Sequence, residues 1–209
     1  MPLTRIDTVG DGVRLALWQM TENVTQLPVP QYLDLSGVHS EKRIREELVI
    51  CQLLQALTSR NDLKINHEPS GKPVVDGYQI SLSHTRGWAA MVLAEDDGVV
   101  RSVGVDIEYY SDRVNKVADR FIRPDEQNDS LPYRLINWSA KETVYKLFSE
   151  EDLQYFDMRL HPFQPQPEGV VIVDDLKVGK SVSVNYTFSK EYVLSWAVFY
   201  NFFNKIKQK

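Results

Sequence analysis

The sequence predicts an α+β fold made of two halves, each a long helix packed on an antiparallel sheet. Three observations carry that expectation. Apolar residues recur at helical spacing in two stretches, 41–57 and 132–149. Each of these runs onward into short alternating segments punctuated by turn residues, the mark of antiparallel strands. At 209 residues the chain is long enough for one sizeable domain or two small halves, and 43% hydrophobic with 25% charged residues is a globular composition. The expected division is 1–101 and 102–209.

Residues 13–18, Val-Arg-Leu-Ala-Leu-Trp, alternate and predict a strand. Thr21–Ser36, with Pro28 and Pro30, reads as loop with at most one short helix. Ser40 is placed to cap the first long helix, whose Ile44, Leu48, Cys51, Leu54 and Leu57 share a face. Its early turns carry Lys42, Arg43 and Arg45, which can be a phosphate-binding group or a solvated face paired with Glu41, Glu46 and Glu47. Residues 64–108 read as successive strands. Lys64–His67 comes first, then a turn at Pro69–Pro73, a hairpin at Asp76-Gly77, Ile80–His84, Trp88–Ala94 and Val99–Glu108.

In the second half, Val114, Val117, Ala118 and Phe121 predict a helix over 112–122, with Arg113, Lys116, Arg120 and Arg123 as a basic stripe and Pro124 as its stop. Pro132 suits the first turn of the second long helix. Strands are expected at 153–160, 169–174, 181–188 and 192–203. The tail from Asn204 to Lys209 reads as a frayed basic end.

Several function classes are disfavoured. The net charge of −5 argues against nucleic acid as a partner. Without a run of 18 apolar residues or an apolar signal core, neither a membrane span nor secretion is expected. One cysteine, Cys51, allows no internal disulfide and fits a reducing compartment, so a cytoplasmic location is expected. A glycine-rich phosphate loop, which a different Mg²⁺-dependent phosphotransferase would want, is missing.

The residues that point to chemistry form two groups. In Gly104-Val105-Asp106-Ile107-Glu108, alternation puts Val103, Val105 and Ile107 on one face and two carboxylates on the other. In Trp138-Ser139-Ala140-Lys141-Glu142-Thr143-Val144-Tyr145-Lys146, the residues Trp138, Lys141, Glu142, Tyr145 and Lys146 fall three or four apart, opposite the apolar face. Blander readings exist. Ser139 to Glu142 matches a capping box, and Glu142 with Lys146 makes an ordinary i,i+4 ion pair. Taken together, Asp106, Glu108 and Glu142 could hold one Mg²⁺, with Lys146 one turn beyond to balance a departing phosphate. Lys72, Ser83, His84 and Arg43 offer further phosphate donors. That set points to transfer at a phosphate or pyrophosphate centre.

The pair G-V-D-I-E and W-S-A-K-E-T-V-Y-K resembles the signature of the 4′-phosphopantetheinyl transferases. Gly71-Lys72-Pro73, Ser81-Leu82-Ser83-His84-Thr85 and Arg120-Phe121 followed by Glu126 extend the resemblance, in order, over about residues 40–160. The length is similar to the surfactin type, a single chain of two pseudo-symmetric halves with the active site at their interface. The resemblance implies that coenzyme A gives its 4′-phosphopantetheine arm to a serine of an acyl or peptidyl carrier protein, with Mg²⁺ as cofactor and 3′,5′-ADP as the product that leaves. It implies Asp106, Glu108 and Glu142 as metal ligands, Glu142 as base with Glu126 as a second candidate, and Lys146 on the leaving phosphate. It assigns Lys72, Ser83 and His84 to the adenosine and phosphates, Arg43 (or Arg45) to the 3′-phosphate, and Trp138 to packing. A monomer is expected. Carrier proteins of this kind are acidic, so the stripe of Arg113, Lys116, Arg120 and Arg123 is the expected docking patch. The alternative is a non-catalytic module that binds coenzyme A or a carrier with the same fold.

Overall fold

The computed structural model describes residues 2–201. Two antiparallel sheets, each covered by one helix, account for nearly all of its regular structure. The first sheet has the order β1-β2-β6-β5, with β1 at Leu3–Gly10, β2 at Val13–Gln19, β5 at Tyr78–Thr85 and β6 at Trp88–Glu95. Helix α1, Glu41–Thr58, packs on it through Leu48, Val49, Leu53, Leu54 and Leu57. The Ser40 hydroxyl accepts from the Arg43 amide, as the capping reading expects, and left-handed Ser59 ends the helix. A small hairpin, β3 at Asn66–His67 with β4 at Pro73–Val74, lies between α1 and β5. The turn at Asp76-Gly77 is present, with Gly77 at φ +77°.

The second sheet has the order β7-β11-β10-β9-β8: β7 Val100–Tyr109, β8 Met158–Leu160, β9 Glu168–Asp175, β10 Lys180–Phe188 and β11 Tyr192–Tyr200. Helix α2, Leu131–Leu147, packs on it through Ile136, Ala140, Val144 and Leu147. The expected division at 101/102 falls inside β7. A third apolar core joins the halves: Leu15, Leu17, Ala90 and Val92 of the first sheet meet Val103, Val105, Ile107 and Leu194 of the second.

The halves are also sewn along β5 and β7, which share no backbone ladder. Alternate side chains of β5 do the joining. Ser81 Oγ accepts from the Val105 amide at 3.1 Å, Ser83 Oγ donates to Asp106 Oδ1 at 3.0 Å, and Thr85 Oγ1 accepts from the Tyr109 amide at 3.3 Å.

Two expectations are corrected, and one strand, β1, was not among those expected. β1 exists, although its alternation follows directly on the chain start and was not read as a strand. Residues 112–122 are not one helix but two short 3₁₀ turns, Asp112–Lys116 and Ala118–Arg120. Ser111 caps the first, Val117 (φ −128°) breaks the run, and Arg134 holds Asn115 by its side chain. Of 153–160, only Met158–Leu160 is strand; Tyr155–Asp157 is a 3₁₀ turn whose Asp157 carboxylate accepts from the Gln154 amide. Ser139 lies well inside α2, as a helix starting near Pro132 implies, and the blander capping-box reading falls away. The end of the strand expected over 192–203, and the tail from Asn204 to Lys209, lie outside the described residues.

Candidate active site

β7 is covered on both faces. Val103, Val105 and Ile107 enter the core between the sheets, so Gly104, Asp106 and Glu108 face α2. Gly104 is required by space. A Cβ there would stand 2.4 Å from the Thr143 carbonyl oxygen and 3.1 Å from Leu147 Cβ. Lacking that atom, the strand lets α2 lie directly on it. Ser139 and Thr143 then pin α2 to β11: both hydroxyls meet the Ser195 hydroxyl, at 2.7 and 2.6 Å.

This close approach gathers the carboxylates. Asp106, 2% exposed, receives Lys146 Nζ at 2.8 Å and the Ser83 hydroxyl on the same oxygen, Oδ1. Its other oxygen, Oδ2, is buried without a hydrogen-bond partner. Glu108 accepts from Trp138 Nε1 at 2.7 Å, and Glu142 from the Tyr155 hydroxyl at 2.7 Å. Burial first, and then the Asp106 charge, push both glutamates above the usual carboxylate range; Glu108 reaches about 7. Glu142 adds to the shift at Glu108, so the three carboxylates act on one another across a single site.

Among the described residues, no three His, Cys, Asp or Glu side chains already stand as a ligand set for a metal ion. The donors nevertheless fit a hard cation. They are all carboxylates, they repel one another, and an orphaned oxygen of Asp106 lies buried among them.

Beside Glu108 opens a cleft of about 750 Å³ between the halves, while Glu142 lines a separate, smaller one with Tyr145 and Tyr155. Glu108 and Trp138 form one wall, and Lys42, His84, Arg86 and Arg113 bring cationic or ionisable groups to the others. Of the expected phosphate donors, His84 lines this cleft, with Nδ1 3.6 Å from Glu46 Oε1. Ser83 is spent on Asp106. Lys72 lies 3.9 Å from Glu150, just past the end of α2. Arg43 is exposed and does not line the cleft; Lys42 does, together with Glu46 one helical turn on. One residue along a helix is a rotation of about 100°, so when Lys42 and Glu46 face the cleft, Arg43 turns away. Arg86 and Arg113 were not read as phosphate donors from the sequence. Arg86 follows His84 closely in the β5–β6 turn, and that turn was the available signal.

Residues 102–197 match the family model of the 4′-phosphopantetheinyl transferase superfamily. The match covers just under half of the chain, from β7 to β11, and contains Asp106, Glu108, Glu142 and Lys146. Over these residues the chain is similar to the phosphopantetheinyl transferase superfamily, and its α+β fold is consistent with that similarity. No curated protein matches the chain. Among the described residues, no helix is long and apolar enough to cross a membrane.

Within the matched region, Lys141 departs from its expected place. It is fully buried, with Nζ donating to Glu126 Oε2 at 2.7 Å and to the Phe121 carbonyl at 2.6 Å. Burial pushes its ammonium down, and the Glu126 charge opposes that. Glu126 also accepts from the Arg123 and Leu160 amides. These contacts join the segment before α2 to the helix and to β8. The basic stripe changes as well. Arg113, Lys116 and Arg120 are exposed, but Arg123 is tied to Asp125 and to the Phe156 carbonyl.

Proposed function

We propose that this chain transfers the 4′-phosphopantetheine arm of coenzyme A to a serine hydroxyl of an acyl or peptidyl carrier protein, in a Mg²⁺-dependent reaction that releases 3′,5′-ADP. The proposal places it in the longer, surfactin-type class, acting as a cytoplasmic monomer. The observation that carries the reading is the convergence of Asp106, Glu108, Glu142 and Lys146 where α2 crosses β7, beside a cleft with several cationic groups.

Glu142 takes the serine proton. In the metal-free protein, burial and then the Asp106 charge hold its carboxyl above the usual carboxylate range. Glu126 is a poor candidate, because its two oxygens already accept from Lys141 and from two backbone amides. The serine oxygen forms a new bond to the phosphorus on the pantetheine side as the bond from that phosphorus to the bridging oxygen breaks. The bridging oxygen leaves with 3′,5′-ADP. Lys146 is the cation placed to balance the charge that grows there. Asp106, Glu108 and Glu142 would hold Mg²⁺, which supplies further neutralisation of the pyrophosphate oxygens. Lys42, His84, Arg86 and Arg113 take the nucleotide phosphates along the cleft; Lys72 reaches the same substrate from the side of Glu150. The nucleophile belongs to the partner, so the chain needs none of its own. Arg113, Lys116 and Arg120 provide the local positive charge for an acidic carrier.

One incubation with coenzyme A, Mg²⁺ and an apo carrier protein tests this, read by intact mass. The carrier gains one phosphopantetheine group, and Glu142→Gln abolishes the gain. No gain with several unrelated carriers, with coenzyme A still bound, would make the chain a binding module.

A further inference from the structure

The two glutamates of the site are each held by one aromatic side chain, and the two aromatics pack against each other at a tilt. Trp138 comes from α2 and Tyr155 from the 3₁₀ turn before β8. Their ring centroids lie 5.2 Å apart at an interplanar angle of 34°. Phe121, fully buried, supports both edge-on, at 4.8 Å from Trp138 and 6.4 Å from Tyr155. The backbone of Phe121 is itself fixed, because its carbonyl receives Lys141 Nζ. A chain of contacts therefore runs from the buried Lys141–Glu126 pair, through Phe121, to the two rings and on to the carboxylates.

The donors at the end of that chain are neutral. Among the described residues, Trp138 Nε1 is the hydrogen-bond donor to Glu108, and the Tyr155 hydroxyl is the donor to Glu142. A lysine or arginine in either place would fix the carboxylate but also cancel its charge. An indole N–H or a phenol fixes one oxygen and leaves the negative charge for a cation.

We propose that Trp138 and Tyr155 are positioning residues that orient Glu108 and Glu142 toward a shared divalent ion. The proposal rests on the transferase reading above and assigns a role to Tyr155, which lies outside the helix motif. Tyr155→Phe removes the donor and keeps the ring contact; Trp138→Phe removes the other donor.

The test measures Mn²⁺ affinity of the full chain from the signal of free Mn²⁺, alongside kcat, carrier KM and thermal midpoint. Tyr155→Phe should weaken Mn²⁺ binding about 10-fold and lower kcat by a similar factor, in the range typical of groups that orient ligands. The midpoint and the carrier KM should stay near those of the parent. In a Glu142→Gln background, Tyr155→Phe should have no further effect on Mn²⁺ affinity, which a purely structural role would not produce. Mn²⁺ affinity of Tyr155→Phe and Trp138→Phe within twofold of the parent overturns the proposal, as does absence of Mn²⁺ binding by the parent. Failure of the parent to modify any carrier overturns the transferase reading instead, and the Mn²⁺ measurement still decides this one.

Discussion

Lys146 Nζ and Asp106 Oδ1 stand 2.8 Å apart across 40 residues of sequence. The pair places a cation from α2 against the most buried carboxylate of β7, and the Ser83 hydroxyl reaches the same oxygen from the other half. In the free protein Lys146 is partnered by Asp106; in the proposed transfer its second partner is the departing phosphate.

Lys146→Met separates those roles. With charge stabilisation at the leaving oxygen removed, kcat should fall about 100-fold. Mn²⁺ affinity should not fall, since a competing cation has left Asp106. Asp106→Asn should lose both turnover and Mn²⁺ binding. A Lys146→Met variant with parental kcat would remove this lysine from the chemistry.

The raised Glu108 carboxyl makes metal-free stability depend on pH. Its folded-state value is about 7, against an ordinary 4.5. The folded protein thus holds this proton more tightly than the unfolded chain does. The stabilisation is complete below about pH 4.5 and is lost as pH rises through about 7, with an upper bound of about 3 kcal/mol. Denaturant unfolding in chelator between those values should show the decline for the parent and a flatter profile for Glu108→Gln. Added Mg²⁺ should recover stability at pH 7.5.

Gly104→Ala tests the close approach of α2. The new methyl would meet the Thr143 carbonyl at 2.4 Å. Overpacking of this kind costs about 1–3 kcal/mol. Because the clash falls on Thr143, next to Glu142 and one turn before Lys146, turnover should drop further than stability alone explains, even at temperatures where the variant is fully folded. Unchanged unfolding and kcat would show that the strand and helix can part without consequence.

Reversing two exposed charges, Arg113→Glu with Lys116→Glu, should raise carrier KM at low salt by about 10-fold and leave kcat at saturating carrier nearly unchanged. Arg123→Glu should act differently. That side chain is tied to Asp125 and to the Phe156 carbonyl, so its loss should show as lower stability. An unaffected KM in the double variant rejects the docking patch.

Much of the site was legible because it rests on two periodicities. Alternation in β7 sorts Val105 and Ile107 from Asp106 and Glu108, and steps of four along α2 align Trp138, Glu142 and Lys146. Both survive folding unchanged. What was not legible depends on partners far away in sequence. Lys141 shares its spacing with the site residues, yet it is buried, because the segment 121–126 supplies a carboxylate and a carbonyl to receive it. Ser83 reads as a phosphate donor until β7 is placed beside it and its hydroxyl is found on Asp106. Choosing Lys42 over Arg43 needs the position of the cleft relative to α1. The expected basic helix failed for a local reason: Val114, Asn115 and Val117 are weak helix formers, and Arg134 gives Asn115 a side-chain partner instead.

The stitching of β5 to β7 by Ser81, Ser83 and Thr85 would make the proposed activity a gauge of how tightly the molecule is closed. Of the three stitches, the middle one ends on Asp106 itself. Prising the sheets apart by a fraction of an ångström would unload that carboxylate before any strand melted or either helix came free. Inactivation by mild denaturant should therefore run ahead of the loss of circular dichroism.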